Sequence, residues 1–87
     1  MIKRPATAAD LPQLIALEAA CNPHPWSGRQ LEASLVQDSV EVVDNDGKIV
    51  AMLVSKSLFG EAEIYLVDTL AAFRRQGWAK QLIQGLQ

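Results

Sequence analysis

Asn45-Asp46-Gly47 is the feature that most restricts the fold of this chain. Glycine accepts a positive φ without cost, and Asn-Asp-Gly between two β-prone runs is a strong signal for a tight hairpin. Before it, Val40-Glu41-Val42-Val43-Asp44 alternates as a strand does, with Val40 and Val42 on one face. After it, Lys48 to Ser57 is a returning strand built around the aliphatic run from Ile49 to Val54. Gly60 marks another turn. Ala62 to Leu70 then carries enough Ile, Tyr, Leu, Val and Thr to form a further strand. A short opening strand is expected at Ile2-Lys3-Arg4-Pro5, which Pro5 confines to an edge or an end.

Three helices are expected around these strands. Asp10, with Gln13 three residues later and Pro12 in the first turn, has the form of a helix start. Leu11, Leu14, Ile15, Leu17 and Cys21 give that helix an apolar face. The prolines of Asn22-Pro23-His24-Pro25-Trp26 impose a loop. Ser27 and Gln30 form a second capping pattern, which opens a helix from Gly28 to about Gln37. Ala79, Leu82, Ile83 and Leu86 fall at helical spacing, so the third helix starts near Gly77, with Gly85 as a weak point inside it. The resulting order is β-α-α-β-β-β-α, one α/β unit over residues 1–87.

Charge and cysteine content narrow the function classes. Residues 1–73 hold all ten acids and five of the eight bases, whereas residues 74–87 hold Arg74, Arg75 and Lys80 and no acid. An acidic body is unlike a nucleic-acid binder, which shows a broad basic face. The basic stretch is either a seat for a small anion or a solvated helix end. The longest aliphatic run is far short of the ~20 residues that span a bilayer. No apolar stretch follows the basic N-terminus to suggest a secretory signal, so a cytoplasmic location without membrane association is expected. Cys21 has no partner in the sequence for a disulfide and no companions for a metal site.

The end of the third long strand carries the chemistry. A strand, then a basic turn with glycine, then a helix is an arrangement that holds phosphate. Free N–H groups of the first helical turn point outward, and the helix dipole adds positive potential there. Gly77 either admits an anion close to the backbone or allows close packing of helix on sheet. The spacing Arg74-x-x-Gly77-x-Ala79 directly after a strand resembles motif A of the GCN5-related N-acetyltransferases, Gln/Arg-x-x-Gly-x-Gly/Ala. His24-Pro25-Trp26-Ser27 is similar to the Pro-Trp-Ser segment of that family's RimI branch. Ile2-Lys3-Arg4-Pro5-Ala6-Thr7, Asp10-Leu11 and Glu61-Ala62-Glu63-Ile64 resemble it at corresponding places.

The resemblance implies a mixed sheet of the GNAT type and acetyl-CoA as cosubstrate. It implies that Val67, Asp68 and Thr69 line the cofactor's pantetheine arm. Arg74, Arg75, Gln76, Gly77, Trp78, Ala79 and Lys80 would surround its pyrophosphate. Asp68 and Thr69 replace the small or aliphatic residues usual there, so the Asp68 carboxylate must point away from the polyanion. The implied acceptor is a protein N-terminal α-amine of the ribosomal-protein-alanine type. The resemblance also implies that the sequence matches the N-terminal portion of the domain. The family's splayed strand, catalytic glutamate and catalytic tyrosine then belong to a following half, and no residue here is assigned as catalytic.

Two alternatives stay open: a CoA-binding or subunit module completed by a partner or second copy along an unpaired strand edge, and an acetyltransferase for a small-molecule amine. Other reactive side chains have plainer roles. Glu61 and Glu63 are expected to be exposed, Tyr65 half-buried, His24 solvated or loop-stabilising, and Cys21 a small buried hydrophobe. Trp26 either packs the loop onto the core or shapes the acceptor groove. Trp78 belongs to the core.

Overall fold

Two tight turns organise the sheet. The computed structural model describes residues 1–74 and 76–84, the side chains of Leu58 and Ala79 excepted. Asp46 and Gly47 adopt φ values of 51° and 94°. Consecutive positive φ values match the right-handed twist of the strands they join. Strand β1 (Ile2–Pro5) leads the chain, and the turn joins β2 (Ser39–Asn45) to β3 (Lys48–Leu58). A second two-residue turn, Phe59 (φ 52°) and Gly60 (φ 81°), leads into β4 (Glu61–Thr69). Gly60 is the residue expected there. Phe59 in the left-handed region, 97% exposed, is not a residue that sequence preference would select.

The sheet is ordered β1-β2-β3-β4 and every pairing is antiparallel. A mixed sheet is what the family resemblance implies; the parallel component is not among these four strands. Between Val54 and Ser55 the β3–β4 register slips, so that Val54 faces Leu66 and Ser55 faces Ile64. Tyr65 is the extra residue of a β-bulge, a feature that increases local twist and re-aims side chains.

Helices α1 (Leu11–Cys21) and α2 (Gly28–Gln37) cover one face, where Leu14, Leu17 and Leu31 pack on Val40, Val42, Met52 and Val54. Helix α3 (Trp78–Gln84) covers the other, with Leu82 buried against Val43, Val50, Ala51 and Leu53. The order β-α-α-β-β-β-α stands, with short 3-10 turns added at Ala8–Asp10 and Ala71–Phe73. Gly85 and Leu86, expected in the third helix, lie outside the described residues. No helix among the described residues is long and apolar enough to cross a membrane.

The two capping patterns fare differently. At α2 the expected reciprocal bonds are present: Gln30 N donates to Ser27 Oγ (3.2 Å) and Ser27 N to Gln30 Oε1 (2.8 Å). At α1 the expected Asp10–Gln13 pair does not form. Asp10 is already helical, and its carboxylate turns back to accept from Thr7 N (2.7 Å) and from the Arg4 guanidinium (2.8 and 2.9 Å). A charge-assisted, two-pronged arginine contact outweighs a neutral cap. Gln13 instead clamps the first hairpin, donating to Gly47 O (3.0 Å) and accepting from Ile49 N (2.8 Å).

Candidate functional site

Strand β4 ends beside the basic turn, and the carbonyl of Thr69 joins the two. It accepts from Arg74 Nε at 3.0 Å and from the Cys21 thiol at 3.3 Å. The 3-10 turn between them is closed by Phe73 N donating to Leu70 O (2.8 Å). The chain then bends through Gln76 and Gly77 into α3, where Gln81 N bonds Gly77 O (2.9 Å). Arg74, Gln76, Gly77 and Lys80 are all exposed, so the rim of this turn is basic and open to solvent.

Gly77 has a φ of 80°, and a Cβ built there would meet nothing within 4 Å. The position therefore calls for glycine because of backbone conformation, not because the helix must approach the sheet closely. With glycine there, no side chain screens the backbone at the start of α3 from an approaching ligand. Trp78 packs partly buried against the α3-side core, as expected, and its indole N–H donates to Gln76 Oε1 (3.1 Å). Arg75 lies outside the described residues, as does the side chain of Ala79; the backbone of Ala79 belongs to α3.

Adjacent positions on β4 divide between the two faces of the sheet. Val67 packs in the α3-side cluster, whereas Asp68, opposite Met52, faces α1. The Asp68 carboxylate therefore points away from α3 and toward α1. It points at another acid. Asp68 is 5% exposed and Glu18 of α1 is 0% exposed, and the two carboxyl groups lie within hydrogen-bonding reach. Burial, reinforced by Glu18, pushes the Asp68 carboxyl up to about 7, with the Arg74 charge opposing. Glu18 Oε2 accepts from Trp26 N at 2.8 Å, which ties the proline loop to α1.

Glu18 is the residue that sequence reasoning missed. Its signal was available: it lies four residues after Leu14 and three before Cys21, an acid within the apolar face of α1. Trp26 packs partly buried against the α1–α2 core. His24 is exposed, with its backbone N–H donating to Asn22 Oδ1 (3.0 Å). Cys21 is partly buried at the end of α1. Glu61 and Glu63 are exposed, and Tyr65 retains 40% of its surface. A cavity of about 580 Å³ between Pro5, the end of α2 and Lys56 is lined by none of the site residues.

Residues 11–87 match the sequence profile of the Acetyltransferase (GNAT) family. The chain belongs to this family. GNAT proteins bind acetyl-CoA. Among solved structures, the ribosomal-protein-S18-alanine N-acetyltransferase of Escherichia coli superimposes with a TM-score of 0.87 at 20% identity, over 98% of this chain and 56% of that one. The GNAT-like decarboxylase GphF in complex with isobutyryl-CoA gives 0.85 at 19% identity, over 99% and 57%. The aminoglycoside 6'-N-acetyltransferase AAC(6')-Ig of Acinetobacter haemolyticus gives 0.81 at 21%, over 99% and 68%. At these identities the likeness is one of fold. The chain spans a little over half the length of the first two. No curated protein matches it in sequence.

Proposed function

We propose that this chain forms the acetyl-CoA-binding part of an N-acetyltransferase. The observation that carries the reading is Gly77 at φ 80° between an exposed basic turn and α3, directly after β4. In this reading the backbone of Val67, Asp68 and Thr69 lies along the pantetheine arm. Arg74, Arg75, Gln76, Gly77, Trp78, Ala79 and Lys80 surround the pyrophosphate. The chemistry is acetyl transfer from the thioester to an amine. Such an amine must lose a proton before it attacks, because an α-amino group of pKa ~7.7–8.0 is mostly protonated at neutral pH.

The acceptor we favour is a protein N-terminal α-amine, and the cell compartment is the cytoplasm. The support is the Pro25-Trp26-Ser27 segment, together with the fold likeness to an enzyme named for a ribosomal-protein alanine. A comparable likeness to an aminoglycoside acetyltransferase supports a small-molecule amine as the second reading. A third has the edge of β4 that no strand pairs among the described residues completed by a partner or a second copy, which gel filtration against concentration would reveal.

Calorimetric titration of acetyl-CoA into the 87-residue chain tests the core of the proposal. Micromolar binding that disappears in Gly77→Glu is the expected result. Absence of binding at millimolar cofactor would refute it. Acetylation assays with an alanine-terminated peptide and with an aminoglycoside would then separate the acceptor classes.

A further inference from the structure

Two buried acids in contact pose a problem of hydrogen bonding that the cofactor reading does not use. Glu18 comes from α1 and Asp68 from β4, fifty residues apart in sequence, and both side chains are removed from water. Each carboxyl retains one buried oxygen, Glu18 Oε1 and Asp68 Oδ2, with no hydrogen-bond partner among the described residues. Two carboxylates offer four acceptor oxygens and no donor. A buried acceptor without a donor is costly, and two like charges side by side in an apolar setting are costlier still. One proton removes both difficulties, because a carboxylic acid O–H can donate to the facing carboxylate.

We infer that Glu18 and Asp68 share a single proton, and that this proton latches α1 and the Trp26 segment onto strand β4. The other groups around the pair favour this reading. From α1, the Cys21 thiol is engaged by Thr69 O. From β3, the residue opposite Asp68 is the apolar Met52. From the loop, Trp26 N is engaged by Glu18 Oε2, and His24 is exposed. From the turn after β4, Arg74 opposes the upward shift of Asp68 by its charge, yet it is exposed and its Nε is held by Thr69 O. No cation among these is seated on the pair.

The latch works through a short chain of contacts. Loss of the proton leaves a carboxylate against a carboxylate, and the repulsion acts directly between α1 and β4. Because the same Glu18 holds Trp26 N, the loop between α1 and α2 moves with it. The position of that loop against β4 thus depends on pH in the neutral range. This inference rests on the packing of α1 against β4 and not on acetyl-CoA binding, so each can fail without the other.

Carbon-13 NMR titration of the side-chain carboxyls in the 87-residue chain, from pH 4 to 9, tests it. The Asp68 carbon should titrate in the neutral range, and the Glu18 carbon and the Trp26 amide should shift at that same midpoint. Glu18→Gln should lower the Asp68 titration by more than tenfold in proton affinity, the mark of a strongly coupled pair. Asp68→Asn, whose amide donates at every pH, should hold the Trp26 amide still across the range. Asp68 titrating near neutrality in Glu18→Gln would mean that burial alone raises it and would overturn the inference. A Trp26 amide that ignores the midpoint would do the same. If the variants do not fold, the parent protein decides: a Glu18 carbon that does not respond at the Asp68 midpoint refutes the shared proton.

Discussion

Substitution of Gly77 by the two mirror forms of alanine isolates backbone conformation from space. The residue has a φ of 80° and open surroundings, so L-Ala meets no clash and pays only for the left-handed backbone. That cost is ~1–2 kcal/mol for an L residue. A stiffer unfolded chain returns ~0.4–1 kcal/mol, leaving a net loss of about 1 kcal/mol. In a domain of this size such a loss lowers Tm by roughly 4–8 °C. It should register in global unfolding because α3 is fastened to the core by Leu82, which is 1% exposed. D-Ala favours positive φ, so the same methyl group should raise stability by about 0.5–1 kcal/mol through the unfolded state. Both proteins are accessible by peptide ligation, and urea titration of tryptophan fluorescence measures both. Changes of the same sign for L-Ala and D-Ala would refute the argument, since that would make the added carbon, and not the backbone, the cause.

Other perturbations follow from the same contacts. Ser27→Ala removes the Oγ that accepts from Gln30 N and should cost ~1 kcal/mol, read from the urea midpoint; Ser27→Asn should restore most of it. Leu31→Ala empties a side chain 1% exposed between α2 and the sheet and should cost ~2–5 kcal/mol, enough to unfold much of the population at 37 °C. The Arg4 hydrogen bonds hold the Asp10 carboxyl down to about 2 from its usual 3.8; the resulting stability, about 2 kcal/mol, is present above pH 4 and lost as pH falls toward 2. Arg4→Gln should therefore flatten the acid limb of a Tm–pH profile, and an unchanged limb would show that the ion pair is not its source.

What was legible in the sequence was local, and what was not depended on distant partners. Ser27 and Gln30 needed only each other, so their capping box could be read off the chain. Asp10 and Gln13 have the same spacing and fail because Arg4 claims the first and the hairpin at Gly47 and Ile49 claims the second. Gly77 was legible because its constraint is its own φ. The face that Asp68 takes, toward α1, depends on register. Strict alternation would put Ile64, Leu66 and Asp68 in one series, but the bulge at Tyr65 pairs Ile64 with Ser55 and Leu66 with Val54, so only Leu66 and Asp68, opposite Val54 and Met52, keep the same series. Glu18 was visible as an acid on an apolar helix face, while its partner lay fifty residues away.

These non-local contacts converge on one short piece of backbone. Thr69 O receives Arg74 from the basic turn and Cys21 from α1. One residue earlier, Asp68 meets Glu18, which in turn holds the amide of Trp26. A displacement of α1 relative to β4 must stretch the Cys21–Thr69 contact at the carbonyl that also orients Arg74. The proline loop on one face of the sheet and the basic turn on the other are thus connected through four residues of β4 and α1. A change in the protonation of the acid pair has a direct mechanical route to the turn. The route needs no rearrangement of the buried β3 core, whose side chains from Ile49 to Val54 are at most 3% exposed.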